Sequence, residues 1–181
     1  MNRKAIAVIV VLCSAAVQGA QQFPLALAAD TRVTRGATTV TTTFAIHIDR
    51  VMNETFRTRV TDALKFGGYP QFLTALRALP AIGTIEFDGR TVEVRYVREE
   101  ARGQGSRLVL VADQPLFFLD KTKTKAGYEL TLVDLTLDAQ GSGTGTMAGA
   151  ARIKPTGDGG VAIDDFAVEP VNLTVRRVSA K

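Results

Sequence analysis

The chain after Pro80 is a succession of short apolar runs separated by turn residues, and this pattern restricts the fold more than any other feature of the sequence. The dipeptide Asp88-Gly89 is a strong signal for a two-residue hairpin turn. In the strand that follows, the two-residue period predicts one apolar face made of Val92, Val94 and Tyr96. Because short connections force neighbouring strands to run antiparallel, we expect about eight strands in hairpin succession after Pro80.

The segment before Pro80 carries two different hydrophobic periods. Residues 39–49 alternate with the two-residue period of a half-buried strand. From Asn53, a suitable N-cap, the period becomes helical; Gly67-Gly68 interrupts it, and Pro70 opens a second helix. The predicted buried faces of the two helices carry Phe56, Val60, Ala63 and Leu64, and then Phe72, Leu73, Leu76 and Leu79. We therefore expect a tight helical hairpin after the first strand.

These patterns predict an α+β fold: an antiparallel, strongly bent sheet or open β-barrel of about 8–9 strands, with a helical hairpin inserted after the first strand. A sheet of this many strands curls or closes, because closure removes unpaired edges. The order of elements resembles that of the small intracellular lipid-binding proteins, in which two short helices follow the first strand and cap an up-and-down barrel. The resemblance lies in topology alone, and we transfer no ligand from it.

One later strand changes the phase of its apolar residues. One parity carries Tyr128, Leu130 and Leu132, and the other carries Val133, Leu135 and Leu137. A single buried face keeps one parity, so this switch predicts a β-bulge near Val133 and Asp134.

Residues 1–20 have the layout of a secretory signal peptide, with a basic start, an apolar run and a small-residue end at Ala20. Gln18 ends the apolar run short of the roughly 20 residues that a membrane span needs, which argues against a retained membrane anchor. We expect no stable membrane span after signal removal. A second small-residue site near Ala28 leaves the cleavage position open between Ala20 and Ala28. The expected location is the periplasm or outside the cell.

The predicted organisation after the signal is a flexible leader over residues 21–36 and a single β-rich domain with the helical hairpin over residues 37–181. Signal removal takes away Cys13, the one cysteine, so disulfides cannot stabilise the domain. It also takes Arg3 and Lys4 from the 22 basic residues, which leaves 20 against 18 acidic ones. This near balance predicts no nucleic-acid partner, and the basic cluster Lys121, Lys123 and Lys125 is typical of a solvated hairpin loop.

The residues that could carry out chemistry do not form a complete catalytic, metal-binding or phosphate-binding motif in the sequence. His47 and Asp49 share one face of the first strand and could support acid–base chemistry, so one hypothesis is an exported hydrolase that uses His47. Asp164 and Asp165 are consecutive and point to opposite faces, which does not suit a carboxylate pair. The glycine-rich residues 141–145 have no helix after them, so they predict a turn and not a phosphate loop. We expect no metal and no cofactor.

The most informative candidate site is a strand of small residues from Met147 to Ile153. If Met147 and Ile153 face inward, so do Gly149 and Ala151, and something must fill the space they leave, because folded interiors are close-packed. The filler is either the helical pair, through Phe56, Leu64, Phe72 or Leu76, or an apolar ligand.

Three functional hypotheses follow from the sequence. The leading one is an exported, non-enzymatic binding or interaction module, whose ligand would be a small apolar molecule near Tyr69, Phe72, Tyr96 and Met147. The second is the hydrolase that uses His47. The third is an envelope protein-interaction domain that pairs through an edge strand, with the last strand before Lys181 as its candidate.

Overall fold

The computed structural model describes residues 20–35, 38–116 and 126–179. The predicted signal peptide, apart from Ala20, and the cluster Lys121 to Lys125 lie outside the described residues. The elements in chain order are β1 (Leu25–Arg35), β2 (Thr38–Ile48), α1 (Glu54–Arg77), β3 (Gly83–Phe87), β4 (Arg90–Arg102), β5 (Gly105–Ala112), β6 (Leu130–Leu137), β7 (Gly143–Pro155), β8 (Val161–Phe166) and β9 (Val171–Arg177).

The strands form one antiparallel sheet that closes into a barrel. Their order is β6-β5-β4-β3-β2-β1-β9-β7, and β7 pairs with β6 to complete a ring of eight. The remaining strand, β8, pairs with Ala151–Pro155 of β7, whereas β9 pairs with Gly143–Met147 on the first half of the same strand. The predicted α+β class and barrel are therefore confirmed, and the barrel is closed.

The first strand of the barrel comes earlier than the sequence predicted. Residues Leu25–Arg35 form β1, which pairs with β2 along its whole length and with β9 from Leu27 to Thr31. The prediction of a flexible leader over residues 21–36 is wrong for this segment. Its alternation rests on Leu25, Leu27 and Ala29, and the small alanines among them weaken the periodic signal. As a result, α1 follows the second strand and not the first.

The barrel interior is filled by apolar side chains, which we call the interior core. Each of the eight ring strands contributes to it, and the members named here are at most 2% exposed: Leu25, Leu27, Phe44, Ile46, Ile48, Ile85, Val94, Leu108, Leu110, Val133, Leu135, Met147, Leu173 and Val175. Side chains from α1 are absent from this set, so the described part of the helix lies outside the barrel.

The glycine pair interrupts the helix as predicted, but α1 is one kinked helix and not the predicted tight hairpin of two helices. Gly68 has a φ of 75°, which only glycine adopts without strain, and Pro70 begins the second segment. Asn53 caps the start, because its Oδ1 accepts the backbone N–H of Thr55 at 2.8 Å. Within the described residues, no helix is both long and apolar enough to cross a membrane.

Both segments of α1 pack on the outer wall of the barrel, in a second cluster that we call the outer core. From the helix it contains Val60, Leu64, Phe72 and Leu76, and from the strands it contains Tyr96, Val109, Val111, Leu130, Leu132, Ala148, Ala151 and Ile153. This position differs from that in the intracellular lipid-binding proteins, because the helix covers a wall and does not cap the barrel end. Phe56, which we predicted to be buried, is 45% exposed.

The phase switch in β6 does not mark a bulge. The pairing of β6 with β5 runs without interruption from Thr131 to Leu137. Leu130 and Leu132 face the outer core, and Val133 faces the interior core, because this strand is buried on both sides. The predicted bulge near Val133 and Asp134 is therefore wrong.

Bulges occur instead in β4 and along the pairing of β6 with β7. The register of β4 shifts between Val94 and Tyr96, so Val94 lies in the interior core whereas Tyr96 lies in the outer core. The predicted single face of Val92, Val94 and Tyr96 is wrong for this reason. In β7 the shift falls between Ala148 and Ala151, so Met147 faces inward while Ala151 faces the helix.

Candidate functional site

A groove of about 400 Å³ opens at the barrel end where the chain enters and leaves α1. We call it the end groove. Its apolar lining comes from the two connections that flank the helix and from the first helical turn: Val51, Met52, Phe56, Leu79, Pro80 and Ile82. Arg50 and Asn53 supply its polar side chains. The groove therefore has an apolar body with polar groups on the β2–α1 connection.

Backbone hydrogen bonds hold both connections against the barrel. The N–H of Asp49 donates to the carbonyl of Ile82 at 2.9 Å, and the N–H of Ile82 donates to Val94 at 2.8 Å. The N–H of Met52 donates to the carbonyl of Val97 at 2.9 Å. Because the lining is tied to β4 at two points, the end groove is preformed by the fold.

The end groove lies where the two cores meet. The half-buried side chain of Met52 packs against both the interior core and the outer core, whereas that of Val51 packs against the interior core. Phe56 forms an outer wall, and its 45% exposure is high for an aromatic side chain. An occupant of the groove would therefore cover apolar surface that is now in contact with water.

An arginine from β4 fixes the chain on the far side of the groove. The Arg95 guanidinium donates to the carbonyl of Leu79, and its Nε lies 2.6 Å from Oδ2 of Asp113. A neighbouring arginine, Arg77, donates to the Asp113 carbonyl at 3.3 Å. These contacts anchor the end of α1 and keep Leu79 in the groove lining.

The polar side chains of the groove differ in what they already bind. The Oδ1 of Asn53 is engaged in the helix cap, so it is not available to a ligand. Arg50 is exposed, and no acidic side chain of the described residues lies within ion-pairing distance of it. The groove thus combines apolar walls with a cation that the described residues leave unpaired.

Sequence patterns did not identify this site. The lining residues Val51 and Met52 stand between a strand and an N-cap, and Leu79, Pro80 and Ile82 stand between a helix and a strand. Such residues belong to neither hydrophobic period. The available signal was the presence of apolar residues in two short connections, where polar turn residues are usual.

Of the four residues predicted near a ligand, the structure brings three to one interface. Phe72 and Tyr96 are fully buried in the outer core, and Tyr69 packs partly buried against it. Met147 lies in the interior core, on the other side of the sheet. The helix side chains Leu64, Phe72 and Leu76 occupy the space above Ala148 and Ala151, so helix packing fills the small-residue strand.

The two tyrosine hydroxyls at that interface have different surroundings. The Tyr69 hydroxyl donates to Glu129 Oε2 at 2.8 Å, and burial is the main cause that raises the pKa of Tyr69. The Tyr96 hydroxyl is buried and has no hydrogen-bond partner among the described residues, and burial raises its pKa to about 12. Neither phenol ionises near neutral pH.

The pair of His47 and Asp49 forms on the outer surface of β2. The distance from His47 Nε2 to Asp49 Oδ1 is 3.1 Å, and the two side chains are 43% and 50% exposed. Across the sheet, His47 is paired with Thr84 of β3. Among the described residues, no serine or cysteine donates a hydrogen bond to His47. The hydrolase that uses His47 stays a hypothesis.

The acidic and glycine-rich motifs have structural contacts. Asp164 pairs with Arg152 at 3.0 Å, and Asp165 accepts a hydrogen bond from the Tyr128 hydroxyl. Within the described ranges, no three His, Cys, Asp or Glu side chains come together as metal ligands. In residues 141–145, Gly141 occupies the turn with a φ of 81°, and the later glycines belong to β7.

The last strand is not an edge strand. Residues Val171–Arg177 pair with β1 on one side and with β7 on the other. Among the described strands, β8 is the one that pairs along a single edge, with β7. The hypothesis of pairing through an edge strand therefore applies to β8, whereas the sequence had predicted the last strand, β9.

The fold and the end groove define an eight-stranded antiparallel barrel with an external kinked helix and an apolar groove at one end. No protein-family model, curated protein or solved structure matches the chain.

Proposed function

We propose that the protein is an exported, non-enzymatic binding module that holds a small, mainly apolar molecule with an anionic group in the end groove. The observation that supports this proposal is the half-exposed Phe56 beside an apolar hollow and Arg50, which the described residues leave without an ion-pair partner. A volume of about 400 Å³ falls within the range of roughly 300–1,000 Å³ that is usual for small-molecule sites.

The barrel interior is packed with side chains, which favours a ligand site outside it, in the end groove. The interior core fills the barrel with side chains that are almost completely buried, and the outer core fills the space beneath α1. An apolar occupant at the groove would cover Phe56, Val51 and Met52, and burial of such surface favours binding by about 25 cal/mol per Å². Arg50 at the rim would then pair with the anionic end.

Export is part of the proposal and rests on the N-terminal pattern. Residues 1–20 combine a basic start with an apolar run and small residues, which is the layout of a signal peptide. An exported module that binds an amphipathic molecule would operate in the periplasm or outside the cell. Fractionation of cells that express the full chain tests this point directly.

The ligand is tested first on the protein as purified. Organic extraction followed by mass spectrometry is expected to release a small amphipathic molecule. Calorimetric titration with decanoate then tests the groove, and decanol, which lacks the charge, serves as the matched probe. We expect Phe56→Ser to weaken both probes by about tenfold, because it removes apolar contact. We expect Arg50→Gln to weaken decanoate alone, by about threefold.

Two variants on the same helix serve as controls. Phe66 is 78% exposed and lies outside the groove, so Phe66→Ser is expected to bind both probes as the natural protein does. Arg59→Gln removes an exposed charge that is not part of the lining. Equal losses in the groove variants and their controls, or extracts without any bound molecule together with no decanoate binding, would refute the proposal.

A second candidate function is pairing with another protein through β8. This strand pairs along one edge among the described strands, and its last residue, Phe166, is 44% exposed. An extended segment of a partner would add to that edge by backbone hydrogen bonds. Replacing Ile163 with proline removes a backbone donor from β8, and loss of a partner in pull-down from envelope extracts would support this function.

A further inference from the structure

Gln21, near the start of the described residues, is hydrogen-bonded to the barrel through both its backbone and its side chain. Gln21 is 7% exposed, whereas Ala20 before it is exposed. The Gln21 backbone nitrogen donates to Glu99 Oε1 at 2.6 Å, and its side-chain Nε2 donates to the carbonyl of Asp138 at 2.8 Å. Among the described residues, the folded domain therefore includes Gln21, whereas Ala20 is exposed.

The structure separates the two cleavage positions that the sequence left open. Cleavage near Ala28 would remove Leu25 and Leu27, which are at most 1% exposed in the interior core. It would also remove the part of β1 that pairs with β2 from Leu25 to Ala28. A chain shortened in this way would lack the first four residues of a ring strand, with two core leucines among them, and the marginal stability of small domains does not tolerate such a loss.

We propose that the signal is cut between Ala20 and Gln21 and that the α-ammonium released there forms an ion pair with Glu99. This inference rests on the proposed export. Water adds across the peptide bond, so Ala20 keeps the new carboxylate and Gln21 gains the ammonium. The Gln21 nitrogen lies 2.6 Å from Glu99 Oε1 while it is still a backbone amide, so an ammonium released at the same atom would lie within ion-pairing distance of that carboxylate. The cut thus converts the contact between the Gln21 amide and Glu99 into an ion pair, which stabilises the position of Gln21.

Mass spectrometry of the exported protein tests the cleavage position. The full chain is expressed in a bacterium with an intact secretion system, and the exported fraction is examined by intact mass and by sequencing of the N-terminal peptide. We expect a chain that begins at Gln21 with a free amine. A chain that begins at Ala29 or at any residue other than Gln21 overturns the inference while export stands. Recovery of the uncut chain from the cytosol overturns the export proposal and this inference together.

Reactivity of the α-amine tests the ion pair separately. A carboxylate beside an amine stabilises its protonated form, which slows acetylation. In the exported protein, Glu99→Gln is expected to speed acetylation of Gln21 by about fivefold. Glu86→Gln, at an exposed position on β3, is the matched control and should leave that rate unchanged. An equal rate in Glu99→Gln and the natural protein, or a Gln21 that has cyclised with loss of ammonia, would contradict the ion pair.

Discussion

Arg95 Nε lies 2.6 Å from Asp113 Oδ2, and this ion pair joins the bulge of β4 to the residue that follows β5. The two side chains are 17% and 9% exposed, so water screens the pair only weakly. The other Asp113 oxygen, Oδ1, is buried and has no hydrogen-bond partner among the described residues. Because Arg95 also donates to the Leu79 carbonyl, the same side chain holds the chain that leaves α1.

Replacing Arg95 with methionine is expected to lower the free energy of unfolding by about 3 kcal/mol, because the Asp113 carboxylate is then left buried without its cation. Urea unfolding followed by circular dichroism measures the change. Arg176→Met is the matched control, since Arg176 pairs with Asp30 at 2.8 Å but is 57% exposed. Its loss should stay below about 1 kcal/mol, and equal losses in the two variants would contradict the importance of burial.

The contribution of the helix to the outer core is tested with two phenylalanines of α1. Phe72→Ala is expected to cost about 3–5 kcal/mol, because the side chain is fully buried and its removal leaves a cavity. Phe66→Ala should change stability by less than about 0.5 kcal/mol, because Phe66 is 78% exposed. Thermal and urea unfolding measure both. A similar cost for the two would mean that α1 does not pack on the barrel as described.

Closure of the barrel between β6 and β7 is tested at a glycine. A Cβ placed on Gly143 would lie 1.9 Å from the carbonyl oxygen of Thr136, so the two strands could not keep their present spacing. Gly143→Ala is expected to cost about 2 kcal/mol in unfolding free energy. At Gly157, a Cβ would meet nothing within 4 Å, so Gly157→Ala is the control and should be nearly neutral. A neutral Gly143→Ala would argue against the closing pair.

Tyr96 is expected to make stability fall at high pH. Burial raises the pKa of Tyr96 to about 12, whereas an exposed tyrosine has a pKa of about 10. The unfolded chain therefore loses the proton first, and stability declines as the pH rises from about 10 through about 12, by about 3 kcal/mol for this residue. Tyr96→Phe should remove that part of the decline.

At neutral pH, Tyr96→Phe is expected to leave stability within about 1 kcal/mol of the natural protein, because its hydroxyl has no partner to lose among the described residues. Tyr69→Phe is the contrasting variant, since Tyr69 donates to Glu129 and accepts from its backbone N–H. It should cost about 1–2 kcal/mol. Urea unfolding at several pH values measures both variants, and an unchanged alkaline decline in Tyr96→Phe would contradict the assignment.

Some local elements were predictable because their cause is local. The helix start at Asn53 follows from its own side chain, which accepts the Thr55 N–H, and the break at Gly68 follows from a backbone conformation that only glycine adopts easily. The hairpin between β3 and β4 follows from Asp88-Gly89, where both residues have positive φ. Short turns of this kind then fix the antiparallel order of the strands.

Other features were missed because they depend on what packs against each strand. The apolar residues around Val133 change from one parity to the other. The cause is that β6 is buried on both faces, and not that it contains a bulge. The sequence around the bulge at Arg95 alternates regularly between apolar and polar residues, so no local sequence signal predicted the bulge. The end groove was also hidden, since its walls come from Val51 and Leu79, which are distant in the chain and meet only after folding.

The sequence by itself determined the α+β class, the helical segment and the hairpin succession from β3 to β8, because hydrophobic period, caps and turn residues act over a few neighbouring positions. Only the tertiary structure decided that β1 belongs to the ring, that α1 lies on the outer wall and that the barrel closes between β6 and β7. These outcomes depend on which apolar faces bury one another. That choice is made between residues far apart in the chain, where periodicity carries no information.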